Sequence, residues 1–425
     1  MALPAEPAPA PSLARRLGTG DAVVIGLGSM MGAGVFAVWA PAARAAGVGL
    51  LIGLLLAAVI AYCNAVASAQ LAAVYPISGG TYVYGRERLG EWWGFLAGWA
   101  FVVGKTASCA AMALTFASYA VDGSRWVQRL VAVAAVAAIA ALNYRGVTRT
   151  AQLTRVLVAC TLVALAVFVI AVSSSPAASS SHLRGWSDVS IYGVLQSAGL
   201  LFFAFAGYAR IATMGEEVRD PARTIPRAIP LALAITVAVY VVVGVAALVA
   251  GGSDVLASST SPLVSVLSAA DRGSVEPVVR VGAALASVGA LLALMTGIGR
   301  TALAMAREHD LPHWLAAVHP AYRVPHRAEV VLAGLVAALV LTTDLRGALG
   351  FSSFGILLYY AIANAAAFTQ PEQDRRWPRA LQVLGGVGCV TLAFSLPLTS
   401  VFAGLAVLAV GLLVRALTQR RGAVA

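Results

Sequence analysis

The chain has 425 residues, of which 60% are hydrophobic and only 11% are charged. A soluble globular protein of this size needs more polar surface, because its outside must be wetted. The net charge of +11 at neutral pH lies in short connectors between apolar blocks, not in one basic patch, so nucleic acid is not an expected partner. The composition therefore indicates a membrane protein.

About twelve apolar blocks of roughly twenty residues recur along the chain, which is the length that a helix needs to cross about 30 Å of hydrocarbon. Because irregular backbone and open strands cannot face lipid, each block is predicted to be a helix. Numbered helix one to helix twelve, the blocks lie near 20–43, 47–73, 91–120, 126–142, 151–173, 190–214, 227–250, 278–300, 328–343, 348–369, 380–397 and 399–416. The predicted fold class is an all-α polytopic membrane protein.

The two ends of the chain and the placement of basic residues predict how it sits in the membrane. Residues 1–19 are rich in proline and alanine and have no apolar core, so a disordered tail is expected rather than a signal peptide; residues 417–425 form a second tail. With the amino terminus in the cytoplasm, 20 of the 29 basic residues fall on the cytoplasmic side and 7 on the outer side. This excess follows the positive-inside rule and predicts a multi-pass protein of the inner membrane with both termini cytoplasmic.

Helix one carries an unusual run of glycines at positions 26, 28, 32 and 34. Each glycine weakens a helix by roughly 1 kcal/mol relative to alanine, so the run favours local unwinding. Close packing of small residues against a neighbouring helix also explains Gly28 and Gly32. The sequence of helix one leaves both interpretations open.

Helix six places Gly207 at mid-span among the aromatic residues Phe202, Phe203, Phe205 and Tyr208. Glycine-interrupted helices at corresponding positions of two halves indicate a transporter site. An unwound turn leaves backbone N–H and C=O groups open, and hydrocarbon does not tolerate them unless a solute or water completes the bonding. The N–H groups favour a carboxylate and the carbonyls an ammonium. A zwitterionic amino acid supplies both.

Four segments together resemble the amino acid–polyamine–organocation family, and they occur in family order. They are GSMMGAGVF (28–36), YPISGGTYVYGRERLG (75–90), FFAFAGY with GEEVRDPARTIPRAI (202–229), and GRTALAMAREHDLP (299–312) after helix eight. The resemblance implies two inverted repeats of five helices, residues 20–173 and 190–369, with two peripheral helices over 380–416. It also implies discontinuous helices one and six at the centre and secondary transport by alternating access.

The resemblance implies where a substrate binds. Backbone groups at the interruption of helix one would hold its carboxylate and amine: Ser29, Met30, Gly32, Ala33 and Gly34. Backbone groups of helix six would complete the amine site: Phe205, Ala206 and Gly207. Phe205 would also act as a gate, together with Tyr208.

Lys105 is the only lysine in the protein and lies about thirteen residues into helix three, close to mid-membrane at 1.5 Å per residue. A charge there costs several kcal/mol unless it is paired or hydrated, so it is by default a functional residue. The alternative is an amine packed against helix carbonyls. Some family members carry a lysine in helix five that stands in for sodium, and Thr161 occupies that position here. Lys105 is hypothesised to supply a titratable or sodium-replacing charge instead.

The remaining ionisable residues indicate the substrate class. Arg210 could bind an anionic group, or pair with Glu216 or Glu217 and lock an inner gate. No Asp or Glu falls in the middle of a predicted span, and a cationic side chain in a buried pocket needs a counter-carboxylate. Neutral amino acids with proton coupling are therefore favoured, and an exchanger of cationic amino acids or polyamines is the rival.

Other functional classes find less support in the sequence. A channel needs a polar ring or filter along its pore, and none is recognised in the sequence. A non-transporting membrane sensor or a channel is the rival from another class. No GxxxxGK[ST] loop for nucleotides and no nucleophile–base arrangement occurs, so neither ATP-driven transport nor an enzyme is predicted. His309 and His313 have the spacing of a metal-binding pair on a helix, but Pro312 breaks the helix that such a pair would need. No metal or cofactor is therefore expected. The expected partners are an amino acid, a proton or other coupling ion, and lipid. Tyr359 and Tyr360 of helix ten either line the pathway or pack.

Overall fold

The computed structural model describes residues 17–76, 79–146, 151–214 and 217–422. Within these ranges the elements are all helices, and the sole β pairing there is an isolated bridge between Leu17 and Val218. The predicted all-α polytopic class is therefore confirmed. Most of the first predicted tail lies outside the described residues, but its last part is ordered, because Leu17 pairs and a helix begins at Thr19.

Each predicted block corresponds to one helix or to a broken helix. Helix one comprises Thr19–Met30, Gly34–Ala37 and Trp39–Ala46, and helix six comprises Ile191–Phe205, the tight turn Ala206–Tyr208 and Ala209–Ala212. The other helices, from two to five and from seven to twelve, are Leu50–Val74, Glu91–Ala120, Arg125–Tyr144, Ala151–Ser173, Pro221–Ser258, Glu276–Arg307, His326–Thr342, Leu345–Phe368, Arg379–Ser395 and Leu398–Gly422.

Ten segments among the described residues are long and apolar enough to cross a membrane. Helices nine and eleven have 17 residues each. At 1.5 Å per residue this is about 26 Å, slightly less than the hydrocarbon thickness. The sequence therefore predicts the number of helical blocks, while two of them are shorter than a full span.

Several helix ends differ from the predicted ones. Helix seven begins at Pro221 instead of near 227, because proline is compatible with the first turn of a helix. Helix eight continues to Arg307, so the start of the predicted connector 299–312 is helical. The predicted connector 75–90 contains a further helix, Thr81–Leu89, here called the loop helix. Helix twelve extends to Gly422, into the second predicted tail.

Helix three is at the centre of the bundle, where it packs against helices eight and ten, while helix two packs against helices six and seven. Large apolar side chains are exposed on the outside, for example Leu130, Ile170 and Val387, as expected of a surface that faces lipid. The bridge from Leu17 to Val218 joins the start of helix one to the segment after helix six. This side of the bundle is called the N-terminal end below, and the other side the opposite end.

Candidate functional site

Helix one is interrupted between Met30 and Gly34, as predicted. The backbone N–H groups of Gly32 and Ala33 have no hydrogen-bond acceptor among the described residues. The Met30 carbonyl accepts a hydrogen bond of 2.7 Å from the hydroxyl of Tyr240 in helix seven. The interruption therefore leaves polar backbone groups open in the middle of the bundle.

The glycines of the interruption also allow close packing. A Cβ built at Gly32 would lie 2.5 Å from Ala290 Cβ in helix eight, and one at Gly34 would lie 2.8 Å from Ala204 Cα in helix six. Unwinding and close packing, the two interpretations of the glycine run, therefore both hold.

Helix six is broken more mildly than helix one. Its α-helix ends at Phe205, and Ala206–Tyr208 form one tight 3₁₀ turn before the helix resumes. The predicted interruption of helix six is therefore present, in the form of a 3₁₀ turn, which keeps most of the backbone bonded while freeing selected carbonyls. Gly207 is pressed against helix one, where any Cβ would overlap the Ser29 carbonyl.

The freed carbonyl of Ala206 is held by two side chains from other helices. Lys105 Nζ donates to it at 3.3 Å and the Tyr360 hydroxyl at 3.4 Å. The neighbouring Ala204 carbonyl accepts from the Tyr240 hydroxyl at 3.1 Å. Lys105 is only 7% exposed, so this contact accounts for a buried ammonium at mid-bundle.

A cavity of about 190 Å³ lies against the two interruptions. The predicted site residues that line it are Ser29, Lys105, Ala206, Gly207, Arg210 and Glu217. Walls that the sequence did not predict come from the loop helix and from helices three, six and eight: Tyr82, Phe101, Phe203, Arg300 and Thr301. Tyr359, left open as lining or packing, also lines the cavity, which extends towards Glu217 at the N-terminal end.

Other predicted site residues do not line this cavity. They are Met30, Gly32, Ala33, Gly34, Phe205, Tyr208 and Thr161. Tyr208 packs on Tyr360 with ring centroids 5.0 Å apart, and the Thr161 hydroxyl bonds to the Leu157 carbonyl of its own helix. Glu216 lies outside the described residues.

Buried aromatic rings pack together beyond the cavity, towards the opposite end. Phe205 packs on Tyr240 at 5.1 Å between centroids, and Trp39 packs on the same tyrosine at 6.5 Å. Phe36 and Tyr119 form a further pair at 5.7 Å. All five side chains are at most 1% exposed and none of them lines the cavity. They form a packed layer beyond it, here called the aromatic seal, while the cavity reaches the N-terminal end on the other side.

The charges of the cavity are mostly positive. Arg210 pairs with Glu217 at 3.4 Å, which is one of the two arrangements that the sequence left open for Arg210. Lys105 and Arg300 add two further cationic side chains to the lining. Within the described lining residues, Glu217 is therefore the one acidic group among three basic ones.

A many-helix membrane protein with a cavity at two interrupted helices has the architecture of a solute transporter. Residues 17–416 match the amino acid permease family, and the chain belongs to that family. It is an amino acid transporter of the membrane, as the family and its relatives indicate.

The relatives differ in what their names say they carry. The chain is 58% identical to the uncharacterized transporter Rv1999c of Mycobacterium tuberculosis, over 97% of this chain and 93% of the relative. It is 26% identical to the branched-chain amino acid permease BcaP of Bacillus subtilis, over 96% and 94%. It is 29% identical to the chloroplastic cationic amino acid transporter 6 of Arabidopsis thaliana, over 82% and 64%.

Proposed function

We propose that this permease carries neutral amino acids across the cytoplasmic membrane in symport with protons, by alternating access. The observation that carries this proposal is the cavity of about 190 Å³ against the interruptions of helices one and six. Such a volume suits a small solute, and open backbone groups at a helix interruption suit a zwitterion.

The backbone groups around the cavity match the two charged ends of an amino acid. The Ala206 carbonyl already accepts a hydrogen bond from an ammonium, that of Lys105. The substrate ammonium is expected to use this carbonyl and that of Ser29. Gly32 and Ala33 do not line the cavity in this structure. Their open N–H groups are proposed to bind the substrate carboxylate in a state in which the cavity reaches them, because N–H groups at a helix interruption favour an anion.

The charges of the cavity favour a neutral side chain. A cationic substrate would meet Lys105, Arg210 and Arg300, and its one available counter-charge in the described lining, Glu217, is paired with Arg210. Like charges in a partly buried site repel strongly enough to discriminate between substrates. The name of the branched-chain permease agrees with a neutral substrate. The name of the cationic transporter favours a second candidate, an exchanger of cationic amino acids or polyamines.

Lys105 is assigned the role of a titratable or sodium-replacing charge, since its ammonium binds the very turn that forms the amine site. The Arg210–Glu217 pair is assigned the role of an inner gate, because it lies where the cavity reaches the N-terminal end. With that end in the cytoplasm, the cavity faces inward. Residues 20–173 and 190–369 are proposed as the two inverted repeats, and alternation would exchange the aromatic seal for the charged gate.

Counterflow in proteoliposomes tests the proposal. The proteoliposomes are loaded with an unlabelled amino acid. Uptake of labelled alanine is then measured with unlabelled alanine, phenylalanine, arginine or putrescine as competitors outside. Alanine and phenylalanine are expected to compete. Competition by arginine or putrescine alone would establish the second candidate instead, and binding of solute without any counterflow would identify a sensor.

A further inference from the structure

A second pocket of about 490 Å³ lies between helices four and nine. Its lining is Ala140, Ala141, Tyr144, Arg145, Tyr322, Glu329, Val330 and Ala333. Tyr144 and Arg145 stand at the end of helix four and Glu329 in the first turns of helix nine. The pocket is therefore near a membrane surface and separate from the cavity at the interrupted helices.

Glu329 is the unusual group of this pocket. It is 2% exposed, and its Oε2 atom has no hydrogen-bond partner among the described residues. No basic side chain of the described residues comes within ion-pair distance of it, although Arg300 is close enough to act on its charge. Asn143 is the polar neighbour that acts on the carboxyl by a side-chain hydrogen bond. A buried carboxylate without an ion-pair partner still costs several kcal/mol, and such a group takes up a proton or another cation.

Polar and titratable groups face Glu329 from several elements. Helix eight contributes Arg300, helix four contributes Asn143, Tyr144 and Arg145, and the preceding connector contributes Tyr322. His319 and His326 lie behind Tyr144 and next to each other. The rings of His319 and His326 both lie against Tyr144, with centroids 5.4 and 6.1 Å away. The pocket connects the carboxyl with Tyr144, Arg145 and Tyr322 at the end of helix four, and a proton could reach Glu329 by this path.

Glu329 also touches the wall of the amino acid cavity. A Cβ built at Gly299 would lie 3.2 Å from Glu329 Oε1, so the carboxyl packs on the bare backbone of helix eight. On the same helix, Gly297, Arg300 and Thr301 line the cavity. A change of charge at Glu329 therefore changes the electrostatic potential at Arg300, which lies on the same helix as Gly299 and lines the cavity.

We propose that Glu329 is a binding site for the coupling proton. The inference rests on the proposed proton symport and adds the group that carries the proton. One proton adds to the carboxylate and gives the neutral acid, and no other bond forms or breaks. With Glu329 ionised, its negative charge offsets part of the positive charge of Arg300 at the cavity wall. With Glu329 neutral, this compensation is lost and the cavity becomes more positive.

Initial uptake and counterflow of labelled alanine, each measured in proteoliposomes across pH 5 to 8, test this assignment. Glu329→Gln mimics the protonated acid in shape and charge. Its uptake is expected to lose the pH dependence of the wild-type protein, while counterflow, which needs no net proton movement, stays within about threefold of wild type. Glu372→Gln is the matched control, because Glu372 is exposed in a connector, and it should keep the wild-type profile.

A wild-type pH profile in Glu329→Gln, with counterflow intact, would overturn the assignment while leaving amino acid transport standing. Absence of counterflow in the wild-type protein would instead overturn the proposed function. Should the glutamine variant fail to reach the membrane, Glu329→Asp carries the test. Its pH midpoint is expected to shift because the shorter acid sits differently against Gly299, and an unchanged midpoint would count against Glu329.

Discussion

Lys105 lines the cavity and is joined to the backbone of helix six through its hydrogen bond to the Ala206 carbonyl. Its position could be predicted from the sequence, because a lone lysine in the middle of an apolar helix is costly without a purpose. Its partner could not be predicted, since Ala206 is 101 residues away in the chain and offers only a backbone oxygen. The residues Tyr82 and Arg300 were missed as lining residues because each reaches the cavity from an element outside the two interrupted helices.

Replacement of the ammonium tests the role of Lys105. Lys105→Met is expected to lower alanine uptake by more than tenfold, because the Ala206 carbonyl loses a charged donor and the cavity loses a charge. Lys105→Arg keeps the charge and is expected to retain part of the activity and a shifted pH profile. Uptake in Lys105→Met that equals wild type, with the same pH profile, would show that the amine only packs against the helix.

Position 207 requires glycine because helices one and six approach closely there: any Cβ would overlap the Ser29 carbonyl. Backbone flexibility is therefore not the only reason for the glycine. Gly207→Ala should push helices one and six apart at the cavity and lower uptake by at least tenfold, because backbone cannot give way as a side chain can. Gly334→Ala, at a helix position with no atom within 4 Å of the built Cβ, should leave uptake near wild type. Normal uptake in Gly207→Ala would mean that the two helices do not need this close approach.

At the scale of elements, the two interruptions are tied together by one side chain of helix seven. The Tyr240 hydroxyl donates to the Met30 carbonyl at 2.7 Å and is 3.1 Å from the Ala204 carbonyl. The existence of the interruptions followed from glycine content. Their form did not, because the 3₁₀ turn of helix six depends on donors from Lys105, Tyr240 and Tyr360 that only tertiary packing supplies.

Loss of the Tyr240 hydroxyl is expected to lower both the stability of the protein and its transport rate. Tyr240→Phe removes the single O–H group that the Met30 and Ala204 carbonyls share, and an unsatisfied buried group costs about 1–3 kcal/mol. A fall in the melting temperature of the purified protein and a lowered uptake are therefore expected. Tyr62→Phe is the control, because Tyr62 is 41% exposed on helix two and should melt as the wild type does. Equal melting of the two variants would argue against the bridging role.

At the scale of the whole molecule, the outermost helix is not independent of the transport core. Arg415 of helix twelve pairs with Asp310, 2.8 Å away in the connector after helix eight, and both side chains are at most 5% exposed. The Tyr82 hydroxyl, on a residue that lines the cavity, donates to the same carboxylate at 2.8 Å. The sequence indicated two peripheral helices. It could not predict the contacts of Arg415, Asp310 and Tyr82 with one another, because Asp310 and Tyr82 lie in predicted connectors.

The Arg415–Asp310 pair makes a pH-dependent prediction. Burial raises the pKa of the Asp310 carboxyl, and the hydrogen bond from Tyr82 and the charge of Arg415 oppose that rise. Arg415→Met should raise this pKa further and destabilise the protein by roughly 1–3 kcal/mol while the carboxylate is ionised, because Arg86 remains 3.8 Å from Asp310. The loss in melting temperature should shrink as the pH falls and Asp310 takes a proton. Arg415→Lys should restore part of the stability, and a loss that does not vary with pH would contradict the pairing.

The location of the substrate is tested most directly by protection of a cysteine placed in the cavity. Thr301 lines the cavity and Ser187 is exposed in a connector, so Thr301→Cys and Ser187→Cys are compared in a background without the four native cysteines. An amino acid that the protein transports is expected to slow thiol labelling of Thr301→Cys and to leave Ser187→Cys unchanged. Labelling of Thr301→Cys at the same rate under saturating transported substrate would contradict binding in this cavity.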